Sequence, residues 1–421
     1  VARSEPKAIQ RVLGRPLFSA ILSAVPILFL AWHWRDRPLD QDAPQYFALA
    51  KSLAAGEGYQ NPLSPWPGEE TCERMPGWPM LVAGVLWILP QPWETPAVIR
   101  YVGGICLVLA GTMMTVLCHR IGIRSSLIAG AAGLGVALSP ALVFVAVSGM
   151  SEVAFLFLVI LGLVLLTSRG MLPYCGAFSL GLAVTIRTNF ILAGPLALAA
   201  YLLIPTVRQQ MKRFQPVGVM VLLVLFALPI TAWTIRNARV TGRFPVLAAI
   251  EGETFRGSNN PVVARDERYW GSWIMPDEIP GETPKFELAR SMSDVELSRH
   301  YHEQGVEWIE ENPRDFAWLI VGKLVRGFLP IPWNPQTATY VAFAYRGLIL
   351  LLAAILAARW YRRVSGLYLY FVLGMFLIVL LTTVRYYGNY RFTHCMWEVF
   401  LIPLIGRALE SEKVTLPRET A

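Results

Sequence analysis

The sequence has little charge. Aspartate, glutamate, lysine and arginine make up 16% of its 421 residues, against about 25% in a typical soluble domain. It has no GxxxxGK[ST], no GxGxxG and no HExxH. Nothing therefore points to a P-loop, a dinucleotide-binding turn or a helix-borne zinc protease. Cysteine is sparse and scattered, at Cys72, Cys106, Cys118, Cys175 and Cys395, with no CxxC. Neither a disulfide framework nor a cysteine zinc site is indicated. Internal repeats and low-complexity segments are absent.

What fills the chain is apolar. The hydrophobic share is 55% and the mean hydropathy +0.46. Long apolar stretches recur along most of its length, which predicts a polytopic all-α membrane protein, because helices satisfy their own backbone in lipid. The stretches are too long and too continuous for barrel strands. The net charge of +8 does not indicate nucleic acid, since the basic residues sit in short loops between apolar segments. The first stretch, 17–34, follows Arg3, Lys7, Arg11 and Arg15 and lacks a small-residue cleavage site, so it reads as an uncleaved anchor.

Basic clusters at 3–15, Arg120/Arg124, Arg169, Arg208/Lys212/Arg213, Arg359/Arg362/Arg363 and after Arg407 are placed in the cytoplasm by the positive-inside rule. Ten spans follow, at 17–34, 97–118, 125–148, 151–168, 171–186, 189–205, 216–235, 341–359, 364–384 and 394–409. Two further segments, 77–90 and 316–332, are re-entrant, interfacial or true spans, which widens the expected number to about 10–13. The first is about 21 Å long as a helix, short of a roughly 30 Å hydrocarbon core. The second carries Lys323 and Arg326. Residues 35–96 and 236–340 become two outer loops, and almost every acid, Glu94 included, falls there.

Asp42-Ala-Pro-Gln45 reads as an N-cap, a proline in the first turn and a capping-box glutamine. It should open an amphipathic helix over 43–55, ended by Gly56 or Gly58. Asp42 is then a cap, a base kept charged by the helix dipole, or both. In "ERMPGWP" (73–79), Arg74 and Trp78 are interfacial anchors, or Arg74 faces a lipid phosphate. Glu152, after Ser151, heads a span as a cap or as a functional carboxylate. Arg187 lies between two short apolar pieces and needs a partner, either a phosphate or a salt bridge such as Glu152. Trp233 and Arg236 read as belt residues. Asn259 and Asn260 either bond sugar hydroxyls or make a turn. Ser293 and Glu296 form a second capping box, opening a surface helix to about residue 311. His300 and His302 point about 200° apart on that helix, so they form no joint metal site. Arg385 and Arg391 are belt anchors or phosphate contacts, and His394 reads as structural.

Taken in order, these pieces resemble the bacterial members of the GT-C glycosyltransferase superfamily, with the protein O-mannosyltransferase-like and aminoarabinose-transferase-like enzymes (glycosyltransferase family 39-type) nearest in pattern. The matching residues are Asp42 with Tyr46, "GEGY" with Tyr59, "RMPGWP", "SPALVFVAVSGMSE", "WTIRNARVTGRFPVLAAIEGETFRGSNN", "VELSRHYHEQGVEWIEENPRDFAWLIVGKL" and "NYRFTHCMWEVFLIP". The chain departs from the pattern at Ser258, where the family often has glycine, and at Arg74, where the aminoarabinose branch has lysine. Its first-loop acid is Asp42 with Asp40 two residues before it, not an acidic dipeptide.

The resemblance implies one GT-C transmembrane domain over 1–421. It implies an inverting transfer of a sugar from a polyprenyl-phosphate donor to an acceptor hydroxyl, on a glycolipid, polysaccharide or protein, outside a bacterial cytoplasmic membrane. Asp42 would be the base and Glu152 a second catalytic acid. Asp40, Tyr46, Tyr59, Arg74, Arg187, Asn259, Asn260, Arg385 and Arg391 would contact substrate. No cofactor is expected; the phosphate leaving group lessens the need for a metal, although a divalent ion stays open. Membrane lipids are expected partners and nucleic acid is not. The rival is a transporter or flippase for a lipid-linked or anionic solute, and a non-catalytic scaffold is a third possibility.

Overall fold

The computed structural model describes residues 16–89, 95–244, 247–331, 337–360 and 366–415, with side chains described for all of these but 337–339, 358–360 and 411–415. The basic clusters at 3–15 and Arg362/Arg363, and Glu94, lie outside the described residues. Helices dominate, and among the described residues strand pairing is limited to one isolated bridge, Gln60 with Glu70.

Six helices among these residues are long and apolar enough to cross a membrane, or seven if a bent pair counts as one. The pair is Ser126–Ala137 with Pro140–Val147, bent by 45° at Ser139–Pro140. Four expected spans or half-spans are shorter apolar helices: Gly77–Ile88, Glu152–Leu166, Leu172–Val184 and Thr188–Leu203. Their brevity has a physical reason in Glu152–Leu166. It is buried on most sides, through Val153, Ala154, Phe155, Leu156, Val159 and Ile160, so its length answers to neighbouring helices and not to lipid thickness. The helix Ala97–Arg120 is the hub, packed against Pro16–His33, Ser126–Ala137 and Glu152–Leu166. Leu172–Val184 lies between Glu152–Leu166 and Gln215–Thr241.

The two long polar segments fold together. Cys72 donates its backbone N–H to Asp294 at 2.8 Å, Ala249 N–H bonds Cys72 O at 2.8 Å, and Trp66 Nε1 donates to Met292 O at 3.1 Å. The helix expected at 43–55 is Ala43–Ala54. The second is Asp294–Glu311, with the Ser293/Glu296 capping box formed. Trp233 and Arg236 are not belt residues. Trp233 is buried and donates to Leu247 O at 3.0 Å, while Arg236 donates to Thr71 O at 2.7 Å. Arg236 holds the first polar segment, and Trp233 the second, down on Gln215–Thr241.

A polar knot pins another part of the bundle. Arg346, fully buried, meets Glu398 through Nε at 2.8 Å and Nη2 at 2.6 Å. His394 sits between Glu398 (2.9 Å) and Ser139 Oγ (2.8 Å), at the bend of the broken helix. Thr393 and Arg346 both donate to Gly327 O. Four elements are thus tied through one ion pair, and His394 is structural as its sequence context implied.

Candidate active site

Arg74 builds the first half of the site. Its Nη2 is 3.0 Å from Asp42 Oδ1, its Nε donates to Gln45 Oε1 at 2.7 Å, and its guanidinium lies 5.8 Å from the Tyr46 ring. This corrects the capping reading of "DAPQ". Asp42 makes no side-chain cap bond, and its backbone is helical, not extended as a capping residue's is. The carboxylate and the glutamine that would have closed a capping box both turn to Arg74 instead. The preceding Gln41 has φ +54, a left-handed conformation that costs a non-glycine residue energy and is concentrated at functional sites.

Glu152 builds the second half. It is fully buried and forms an ion pair with Arg187 Nη2, while Arg391 Nε lies 3.7 Å away. Arg187 sits in extended backbone at the break between Leu172–Val184 and the short 3-10 turn Thr188–Leu192, which frees its side chain to turn inward. Arg187 lies 4.8 Å from the Phe392 ring, and its Nε is buried without an acceptor. Arg391 joins the halves, donating through Nη1 to Gln41 Oε1 at 2.7 Å.

One glycine brings Arg74 and Arg187 to the same place. Gly77 N–H donates to Thr185 O at 2.8 Å, and a Cβ at Gly77 would lie 2.6 Å from Ile186 and from Thr185 Oγ1. Only glycine lets "RMPG" touch "TIR".

Three guanidiniums therefore face two carboxylates, and one positive charge is uncompensated. Burial pushes the Asp42 carboxyl up, but Arg74, Arg391 and Arg187 outweigh it and hold the group below its ordinary value. Burial and the Asp42 charge push the Tyr46 phenol up, so it stays a hydrogen-bond donor at neutral pH. Tyr387, which the sequence reading passed over, feels the charges of Arg391, Asp42, Arg187 and Glu152. Gln41, Gln45 and Phe392 were missed too. The only sequence signal for Gln41 is its place beside Asp42.

A depressed carboxyl stabilises the fold above its unfolded value and loses that contribution as pH falls through its folded value. Arg74→Met should therefore lower Tm most at neutral pH. The gap to the parent should begin to close only as pH falls below the ordinary aspartate value of about 3.9. Thermal unfolding in detergent across that range checks it.

The fold gathers Asp42, Tyr46, Arg74, Glu152, Arg187 and Arg391. It does not gather the others. Asp40 is exposed and has no side-chain hydrogen bond or ion pair among the described residues. Tyr59 is buried, with its hydroxyl donating to Arg74 O and Met75 O at 3.2 and 3.0 Å; it is a strut beneath Arg74. Asn259 spends its amide on Phe255 O, Arg385 O and Lys323 Nζ. Asn260 caps Pro261–Arg265. Of the two readings for this pair, the fold selects the turn. Arg385 is half exposed and pairs with Glu251 at 2.8 Å. Trp78 is 1% exposed and donates to Gly149 O, so it is no interfacial anchor. Glu152, without exposed surface, holds two arginines and is not placed to touch substrate. His302 lies against Phe255 at 4.6 Å, and among the described residues no group of three or more His, Cys, Asp or Glu side chains is arranged to hold a metal.

Several apolar helices of membrane length make this a multi-pass membrane protein, and its helical bundle with two interlocked polar segments shares its fold with two solved oligosaccharyltransferase structures. The archaeal oligosaccharyltransferase AglB from Archaeoglobus fulgidus, solved with an inhibitory peptide and a dolichol-phosphate, superposes with a TM-score of 0.54 at 14% identity, over 94% of this chain and 50% of that one. The oligosaccharyltransferase of the same organism tethered to an acceptor peptide gives 0.52 at 15% identity, over 94% and 49%. ArnT from Cupriavidus metallidurans bound to undecaprenyl phosphate gives 0.41 at 14%, over 94% and 78%. The chain thus spans about half the length of the oligosaccharyltransferases it matches. No protein-family model and no curated sequence matches it.

Proposed function

We propose that the protein transfers a sugar from a polyprenyl-phosphate donor to an acceptor hydroxyl, with inversion, on the extracytoplasmic side of a bacterial cytoplasmic membrane. One observation carries the reading. Asp42, a partly open carboxylate, pairs with Arg74, and Glu152 holds Arg187 and Arg391, so two acids leave the charge of three largely buried arginines unbalanced. Such a place suits a phosphodiester, and Arg187 Nε has a donor to spare.

In the reaction, Asp42 takes the proton of the acceptor hydroxyl. The acceptor oxygen bonds to the anomeric carbon as the bond from that carbon to the phosphate oxygen breaks. Polyprenyl phosphate leaves with the bonding pair, and Arg74, Arg187 and Arg391 meet its growing charge. Arg74 links the two events. While it pairs with Asp42, the carboxylate is a weak base. When the donor phosphate draws Arg74 away, Asp42 becomes more basic just as the acceptor needs it. Glu152 holds Arg187 and Arg391 in position. The acceptor is a glycolipid, polysaccharide or protein hydroxyl.

Reconstitution in vesicles with radiolabelled polyprenyl-phosphate sugars tests this. Sugar appearing on an added acceptor supports it. Translocation of the labelled lipid with no sugar transferred would replace it with a flippase.

A further inference from the structure

We propose that Arg100 is a positioning residue, a buried brace that sets the Asp42 segment against the Glu152 segment. The inference deepens the reaction proposed above and rests on it. Arg100 stands near the start of the apolar helix Ala97–Arg120 and is 2% exposed. A guanidinium in such surroundings is costly unless its donors are satisfied. It forms no ion pair among the described residues. Its acceptors are backbone carbonyls: Nη1 donates to Val147 O at 2.5 Å, and Nη2 to Arg37 O at 2.6 Å and Pro38 O at 3.0 Å.

Those carbonyls belong to the two segments whose spacing defines the site. Arg37 and Pro38 lead into Gln41 and Asp42. Val147 ends the helix Pro140–Val147 and leads into Glu152. A planar guanidinium presents its two Nη groups in a fixed fork, so two chains bonded to it hold one separation. Because the acceptors are neutral, the brace sets geometry without paying out charge to either carboxylate.

A second contact, independent of Arg100, joins the same two segments. Gly149 has φ +80, and a Cβ there would lie 2.9 Å from Ile99 and 3.4 Å from Ala43, the residue after Asp42. Trp78 Nε1 donates to Gly149 O at 3.1 Å. The turn before Glu152 therefore rests on the first residue of the Asp42 helix, and Arg100 closes the other side of that contact.

The test compares the parent with Arg100→Met and Arg100→Lys, all reconstituted in nanodiscs. Two readouts are taken. The first is hydrogen exchange of peptides covering 37–46 and 147–151, whose amides include the bonded N–H groups of Ala43, Tyr46, Ser148, Gly149 and Met150, and which does not depend on any reaction. In Arg100→Met both peptides should lose protection together, while the apolar helices keep theirs. The second is sugar transfer. Arg100→Met should lower kcat about tenfold to a hundredfold with the donor KM within about twofold, because Arg74, Arg187 and Arg391 are all retained. Arg100→Lys, which keeps the charge but not the fork, should recover part of the protection and part of kcat. Unchanged exchange in both peptides would overturn the brace. So would exchange lost in both peptides with kcat per folded molecule unchanged. If the parent itself transfers no sugar, the reaction reading fails, and exchange alone still decides whether Arg100 joins the two segments.

Discussion

Asp42→Asn should lower the rate of sugar transfer by about a hundredfold to ten-thousandfold, the range that a positioned general base contributes. The amide keeps the size and polarity of the side chain but has no lone pair basic enough to take the acceptor proton. Donor binding should hold or tighten, because Arg74 loses its carboxylate partner and keeps its place for the phosphate. The fold should barely change. Asp42 is about a third exposed, its side chain caps no helix, and pairs of such exposure contribute about 1 kcal/mol or less. Asp40→Asn is the matched control and should transfer near the parent rate, since Asp40 is exposed and makes no side-chain hydrogen bond among the described residues. Single-turnover transfer with separately measured donor binding makes the comparison. An Asp42→Asn variant that transfers at full rate would remove the base from the mechanism.

The second large effect is on stability. Arg346 and Glu398 are both fully buried. Arg346→Met leaves the Glu398 carboxylate in an apolar interior with only His394 beside it. Breaking a buried pair from one side costs about 3–5 kcal/mol. Removing both charges in Arg346→Met/Glu398→Gln should restore most of it, since the stranded charge, not the lost bond, dominates the cost. Thermal unfolding in detergent distinguishes the two variants. Equal destabilisation by the single and double changes would show that the knot acts through packing alone.

Legibility in the sequence followed the range of the interaction. The helix Asp294–Glu311 was readable to within a residue or two because Ser293 and Glu296 form their capping box locally. The start of Ala43–Ala54 was equally plain from Pro44, yet the chemistry of its first turn was not. Asp42 and Gln45 fit a capping box in sequence, and a residue far along the chain from neither helix end, Arg74, took both. The Glu152–Arg187 pair was foreseeable, because two opposite charges in apolar surroundings demand each other. Arg100 and Arg346 were not singled out. Arg100 bonds carbonyls through its two Nη groups, and carbonyls carry no side-chain signature. The carboxylate that Arg346 finds lies on a distant segment, where its own neighbourhood gives no hint. Asn259 and Asn260 fit the pattern that the sequence resembles, but a pattern does not say whether an amide faces a ligand or its own backbone. Several expected spans are shorter than a lipid core for a related reason: a helix enclosed by other helices has no lipid thickness to match.

Glu152 opens the apolar helix Glu152–Leu166, and its partner Arg187 lies just past the end of Leu172–Val184, the next helix, which packs on the first. During synthesis they leave the ribosome as one hairpin, long before Arg391 exists. A lone glutamate or a lone arginine would resist partition into the bilayer. The hairpin, carrying both, can enter as an electrically neutral unit. The order of the chain thus serves its biogenesis, with the acid sheltered by its first arginine until the second arrives at the far end of the chain.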